Sequence, residues 1–569
     1  MSIFIDREGG LGSGLNLSDP NSPLAPYFAS IGHVFLALIL GSVFAFLNQV
    51  PLGHTDIWGH LRFGDEILAT HGLLAGDTFC QFAEPKSETI NYCWLSQVIL
   101  SWFFQIGALT GGTDPLVRLA GAADALRFFH ATAVTTRFLL LYLAFRRAAR
   151  SRTIAVFGLA FVTVIGVFSL GVLRPQVIAE VLFAALLIPL SRDELSKRAV
   201  IGIPALMVIW ANAHGSYPIG LIMLGLAWAA RICDVLTGPP FRMLKLLNDT
   251  QLRRFTLTIL LSLGLIAILN PEGYRIFLVT VEMANHPNVR LMDEWQPIWS
   301  QNTMVARITF GVCVGLVLLS MALARSRVRW ITVFTLAAFA GQAVLHQRGV
   351  IWLFTVAPWL AMPYLGDAFV RYRPASCVSL PSLRKTLIVG LIAIVASLWS
   401  LPVQRLLGGY KPDVSRSLSD GTPWVQATAI AEPSLVANSS LSKAISSTFP
   451  DGKFTGTIYA GDTLGDFFVW RLAAPVPVFM YSHVHLFSAE QWHRYTKIRD
   501  AEPGWQQEMD AAKINLVVVR PAVEPGIYRK LRADPAWMVV TDESNLTTKR
   551  DPRHRLFVAV RKKPLIPAG

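Results

Sequence analysis

Charge is what this sequence has least of. Only 15% of its 569 residues are charged while 53% are hydrophobic, and the mean hydropathy is +0.45. That balance excludes an ordinary soluble globule and fits a polytopic membrane protein. Cysteine is also scarce: the five are Cys80, Cys93, Cys233, Cys313 and Cys377, with neither zinc-ligand spacing nor a disulfide framework. Internal repeats and low-complexity tracts are absent. The start lacks the basic residues and cleavage site of a secretory signal, so the first span is expected to stay as an anchor. The early GGLGSG has no strand before it and no helix start after it, which excludes a phosphate-binding loop. A net charge of +14 would suggest nucleic acid in a soluble protein. Here many basic residues fill short gaps between apolar runs, so membrane orientation explains them and no nucleic-acid partner is expected.

What is present is a succession of apolar runs. Residues 1–26 read as an irregular cytoplasmic tail, and 27–50 as a charge-free span long enough for a bilayer of roughly 30 Å. Further spans are expected at 122–145, 153–173, 176–191, 199–213, 216–232, 255–270, 307–324, 330–346, 349–366 and 386–403, eleven with the first. The 122–145 run is the weakest, interrupted by Asp124, Arg127 and Arg137. Residues 94–110 are apolar but short and carry aromatic residues, so they read as a helix lying in the interface. With that assignment, the Arg/Lys groups around 146–152, 192–198, 242–254, 325–329 and 371–385 all fall on the cytoplasmic side, as the positive-inside rule requires. The transmembrane domain is then 27–405, with 51–110 as an external loop. From about 406 the composition shifts: a Ser/Pro/Thr-rich connector precedes alternating strand and helix signals. Strands are expected near 454–460, 476–481, 515–520, 536–541 and 555–561, so 406–569 reads as an external connector and small α/β domain.

The polar stretch at 54–97 is either a solvated connector or the floor of an active site. The same external face collects Arg174-Pro175-Gln176, Asn212 and His214, Asn270 through Arg275, Glu294, and His346 with Arg348. Turns of only a few residues have no solubility reason to carry such groups. Bland readings stand beside each. A carboxylate next to a span, such as Asp56, is more often a solvated cap. Arg62 and Glu66 have the spacing of a helical ion pair, and Asp77 begins a turn that it suits as a cap. Trp94 suits a headgroup anchor beside Gln97. Arg174 suits a snorkelling position, Asn212 and His214 suit helix-end hydrogen bonds, and Tyr274 belongs to a helix stop. Cys80 and Cys93 share the loop as either a disulfide or two separate thiols.

The run TDIWGHLRFGDEILATHGLLAGDTF resembles the first external loop of GT-C-type integral membrane glycosyltransferases, closest to a bacterial group with a D-x-W-x-H-x-x-x-G loop. YCWLSQ, RPQ, WANAHG, NPEGYR, EWQP, HQR and GDTLGDFFVWRL follow in the order of that group. The resemblance implies a GT-C-like domain in a cell (inner) membrane, with the N-terminus cytoplasmic and the C-terminal domain periplasmic. It implies a polyprenyl-phosphate-linked sugar as donor, an external lipid, glycan or protein as acceptor, and Asp56 as the catalytic carboxylate. His54, Trp58, His60, Asp77, Trp94, Gln97, Gln176, Glu294 and Tyr274 lie on the matching motifs and are the implied substrate contacts. The chemistry stands apart from the family: displacing a prenyl phosphate needs a base for the acceptor hydroxyl and cations for the leaving phosphate. Arg174, Arg275 and Arg348, with His214 and His346, are available for the second task. No D-x-D motif accompanies the loop, so no metal site or other cofactor is assigned, although some relatives use a divalent ion. In the external domain, VFMYSHVHLF departs from the acidic and basic residues of the group. His483 and His485 would share one strand face there without an acidic or Cys partner for a metal, and a stabilising or acceptor-binding role fits that domain better. A lipid or polysaccharide transporter, or a non-catalytic envelope scaffold, are the rival classes; the first would show inverted repeats and midplane charges.

Overall fold

The computed structural model describes residues 27–53, 56–74, 76–77, 79–83, 92–166, 170–238, 244–300, 304–372, 381–544 and 551–565. The first helix, α1 (Ile31–Gln49), leads into the loop that carries α2 (Ile57–Thr70) and α3 (Trp94–Leu109). The bundle continues through α4 (Pro115–Ala149), α5 (Arg152–Gly166), α6 (Gln176–Leu190), α7 (Lys197–Ala213) and α8 (Tyr217–Thr237). A short α9 (Leu244–Asn248) precedes α10 (Thr250–Leu269), and α11 (Arg275–Asn285) with α12 (Pro287–Arg290) lead to a 3-10 turn at Asp293–Trp295. The remaining bundle helices are α13 (Met304–Leu323), α14 (Trp330–Leu345), α15 (Gly349–Tyr372) and α16 (Leu383–Leu398). Six of them, α1, α4, α8, α10, α13 and α15, are long and apolar enough to cross a membrane, and α3, α5, α6 and α14 are shorter apolar helices. Each stretch read as a span falls on a helix of this series. The chain is a multi-pass helical membrane protein.

The run interrupted by charges turns out to be the longest helix, 35 residues from Pro115 to Ala149. Its charges are neutralised by partners instead of breaking the helix. Arg127 bonds Asp124 one turn away at 2.8 Å, and Arg137 bonds Glu180 of α6. Buried charges in a bundle persist when paired in this way. The α3 helix, expected at the interface, packs along α2 and α4, with Trp102 56% exposed on its outer side.

After α16, short helices α17 (Leu401–Leu406), α18 (Val414–Ser417), α19 (Trp424–Ala431) and α20 (Ser440–Thr448) form the connector. The terminal domain follows as β1 (Thr457–Ala460), α21 (Asp462–Arg471), α22 (Ala489–Arg499), α23 (Trp505–Ala511), β2 (Ile514–Val519), α24 (Pro525–Ala533), β3 (Trp537–Asp542) and β4 (Phe557–Arg561). Its sheet has the order β1-β2-β4-β3, with β1 and β2 parallel and the other pairs antiparallel. The strand expected at 476–481 is not part of this sheet. Pro475 and Pro477 lack ladder donors, and the segment makes only isolated bridges, Cys80 to Val476 and Ile458 to Val478. His483 and His485 accordingly do not share a strand face. They lie at a 3-10 turn, Val484–Leu486. The α24 helix has its own local signals, Pro525 at its start and Ile527, Tyr528 and Leu531 buried on one face.

The loop and the terminal domain share one core. Ile57, Trp58 and Leu61 of α2 pack with Phe467, Phe468 and Tyr481, and Leu52 bridges to Leu418. Cys80 and Cys93 are both buried and are not joined in a disulfide, and the Cys80 Sγ–H donates to the Val478 carbonyl at 3.1 Å.

Candidate active site

The site begins where three separate helix starts meet. Asp56 is the residue before α2, and its carbonyl accepts the His60 N–H at 3.2 Å, so its backbone is fixed by the first turn. Arg174 stands just before α6, with its carbonyl accepting from Val177 N–H at 3.0 Å. Arg348 stands just before α15. The Nε of Arg174 lies 3.1 Å from Oδ2 of Asp56. Glu294, from the 3-10 turn after α12, bridges the two arginines: Arg174 Nη1 at 3.3 Å and Arg348 Nη1 at 2.7 Å. The Arg348 backbone N–H also donates to the Glu294 carbonyl at 2.9 Å, and its guanidinium lies over Trp295.

The neighbours set the charge of Arg174 and of Glu294. Burial acts to lower the Arg174 pKa, but Asp56 and Glu294 outweigh it and the net direction is upward. Burial likewise acts to raise Glu294, and Arg348 and Arg174 outweigh it and hold it low. Two guanidiniums and two carboxyl groups thus meet in a half-buried site. The α6 and α15 N-termini add partial positive charge at the same point.

A ring of imidazoles stands behind. His60, on α2, accepts at Nδ1 from the Gln97 amide of α3 at 3.2 Å, and its ring lies 4.7 Å from that of His483. His483 stacks on Phe63 and sits 3.6 Å from Asp466 Oδ1, which also accepts from the Ser482 hydroxyl at 2.8 Å. Gly59 makes this approach feasible, because a Cβ there would sit 2.4 Å from Asp466 Oδ1 and 2.7 Å from His483 Cε1. A cavity of about 30 Å³ between His60, Gln97, His483 and His485 has room for about one water. Burial, then the neighbouring His483, pulls His60 down to about 3, and burial, then Arg348 and Arg174, pulls His214 down to about 3, with Asp56 opposing in both cases. Burial also pulls His485 well below the ordinary imidazole value.

These depressed values set a pH dependence. Above about pH 6.5, near the free imidazole value, the rings are neutral in both folded and unfolded chains. As pH falls from there toward 3, the unfolded chain binds protons that the folded chain refuses, so stability is lost. The thermal midpoint of the purified protein is expected to drop between about pH 7 and about pH 5. His60→Gln should make the drop shallower; an unchanged slope would remove His60 from the account.

This is the architecture of the GT-C class of integral membrane proteins: a helical bundle with a C-terminal α/β domain. Two structures of the Archaeoglobus fulgidus oligosaccharyltransferase share it. One is AglB in complex with an inhibitory peptide and a dolichol-phosphate, similar at TM-score 0.50 and 12% identity over 86% of this chain and 69% of that one. The other is the apo form, at TM-score 0.50 and 12% identity over 85% and 69%. ArnT from Cupriavidus metallidurans bound to undecaprenyl phosphate aligns over 92% of this chain and 97% of that one, at 14% identity and TM-score 0.44. No protein-family model and no curated protein matches the sequence.

The residues singled out from sequence divide into groups. Asp56, Arg174, Glu294 and Arg348 meet directly, and His60 and His214 lie near enough to feel their charge. His346 supports this group, with Nδ1 2.9 Å from the Trp295 carbonyl. Others are engaged in holding elements together. Trp94 Nε1 donates to Asn212 Oδ1 at 2.9 Å, Asn212 also accepts from Asn270, and His214 pairs with Ser216. Gln176 donates to Glu180. Asp77 is a buried cap: it accepts from the N–H groups of Phe79 and Cys80 and from the Tyr481 hydroxyl. Trp58 is 1% exposed and packed on Phe104, Phe467 and Trp470, which makes it core. Tyr274 is 70% exposed. Arg62 lies over Phe79, and among the described residues it forms no ion pair with Glu66. His54 lies outside the described residues. Sequence reading missed Asp466 and His483 as neighbours of the loop; the acidic GDTLGD turn was the available signal for the first. Among the described residues no three His, Cys, Asp or Glu side chains converge to hold a metal ion.

Proposed function

We propose that this protein is a GT-C glycosyltransferase that moves a sugar from a polyprenyl-phosphate carrier to an acceptor outside a cell (inner) membrane. The observation that carries the reading is the Asp56–Arg174–Glu294–Arg348 constellation at helix ends. In the reaction the acceptor oxygen bonds to the anomeric carbon while the bond from that carbon to the phosphate oxygen breaks. Asp56 takes the hydroxyl proton as general base. Its contact with Arg174 at 3.1 Å holds the carboxylate in place for that proton. The prenyl phosphate leaves with the bonding electrons, and Arg174, Arg348 and the two helix N-termini stabilise its charge. Glu294 holds the two guanidiniums at one point, so the incoming phosphate meets a preformed pair of cations. The bulk of the C-terminal domain covers the loop and would face the acceptor. The arginine-rich gaps around 146–152 and 325–329 would face the cytoplasm.

The test uses the full-length protein in nanodiscs. Native mass spectrometry should show undecaprenyl phosphate retained in preference to phosphatidylglycerol, and carrier-linked sugars should yield free prenyl phosphate on addition of protein. Retention no better than phosphatidylglycerol, with no prenyl phosphate released, would sink the proposal.

A further inference from the structure

The two site arginines come from helices that are far apart in sequence, and a third helix fixes their spacing. Both α6 and α15 lie along α4, while they meet each other chiefly through side chains, the edge of Phe183 against Trp352 at 5.4 Å between centroids. At the middle of α4, Arg137 is only 5% exposed. One of its terminal nitrogens donates to Oε2 of Glu180 on α6, and the other donates to the Thr355 hydroxyl on α15 at 2.9 Å. Glu180 receives a second bond, from Gln176 at 3.1 Å.

The register gives this junction its meaning. Glu180 lies six residues beyond Arg174 and Thr355 seven beyond Arg348, which places both anchors about 9–10 Å down their helices. Each arginine therefore stands at the head of a helix that is tied, roughly two turns below, to the same guanidinium. We propose that Arg137 is a positioning residue: its planar fork clamps α6 to α15 and so sets the separation of Arg174 and Arg348 at the site. Only a guanidinium presents two donors in one rigid plane, so lysine could not hold both arms. The inference rests on the phosphate-binding reading of those two arginines. A shift of about 1 Å in such a pair is enough to cost on the order of 10²-fold in a reaction.

A merely structural pair would behave differently. Replacing a buried ion pair with apolar side chains of similar volume commonly leaves stability unchanged or higher. The doubly substituted Arg137→Met, Glu180→Met protein is therefore expected to melt at or above the wild-type temperature. It should nevertheless bind undecaprenyl phosphate about tenfold more weakly in nanodiscs, with Arg174→Ala as the reference for lost phosphate contact. Wild-type affinity in the folded double variant would overturn the inference while leaving the function intact. If the wild-type protein itself showed no preference for undecaprenyl phosphate, the functional reading would fall first and take this one with it. Should the double variant fail to fold, Thr355→Val decides the matter, since it removes a single uncharged arm. At an unchanged melting temperature, weaker binding supports the clamp and unchanged binding overturns it.

Discussion

Asp56→Asn is expected to lower sugar transfer by about 10²–10⁴-fold, the range that a positioned general base contributes, while leaving donor binding close to wild type. The amide keeps the shape of the side chain and can still meet Arg174, whose Nε is 3.1 Å from the carboxylate, but it cannot accept the hydroxyl proton. Loss of one negative charge beside Arg174 and Arg348 should, if anything, favour the phosphate of the carrier. The loss therefore belongs in kcat, with little change in the dissociation constant for undecaprenyl phosphate. Steady-state release of prenyl phosphate, set against binding by native mass spectrometry, separates the two. Transfer at the wild-type rate would remove Asp56 from the chemistry, and a parallel collapse of binding would make it a structural partner of Arg174 instead.

A large effect on the fold is expected from Gly64→Ala, eight residues further on. A Cβ at this position would lie 2.3 Å from the Gln97 carbonyl oxygen, 2.7 Å from its carbon and 2.8 Å from Ser101 Cβ. Two of these three atoms are backbone, so no rotamer change relieves the contact and α3 must move as a body. That movement would strain the bonds from Ser101 and Gln105 to Asp65, and the one between Gln97 and His60. It would also pull at the start of α3, where the Ser96 hydroxyl donates to the Ala213 carbonyl at 2.6 Å. Overpacking of this kind costs about 1–3 kcal/mol when side chains can yield, and backbone yields less readily. The expected result is a lower melting temperature with reduced recovery of monodisperse protein in detergent. Wild-type melting would show that the α2–α3 contact is looser than these distances require.

The same contact shows why parts of this protein could be read without coordinates. A glycine at the end of the D-x-W-x-H-x-x-x-G pattern is visible in the sequence, and so are apolar runs of bilayer length, because both signals are local. A helix at 94–109 was legible from its apolar run alone. Pairings across long separations were not legible. Glu180 sits inside an apolar run, and nothing local indicates that Arg137, 43 positions earlier, neutralises it. Asp466 and His483 reach the loop only because the terminal domain folds back onto α2. The segment 476–481 misled for a physical reason: Val476 and residues 478–481 are all fully buried, so its strand-like composition reflects core packing, while its prolines exclude it from the ladder.

The contact between Asp77 and the Tyr481 hydroxyl joins groups 404 positions apart, and this has a consequence for biosynthesis. The ribosome completes the loop long before it makes the lid that closes over it. Through that interval the side of α2 that meets the terminal domain, including Trp58 where it packs on Phe467 and Trp470, lacks those partners, and the nearest shelter is the lipid headgroup layer. Assembly of the reaction chamber is thus a late event, and truncated or stalled chains would leave an adhesive surface lying on the bilayer.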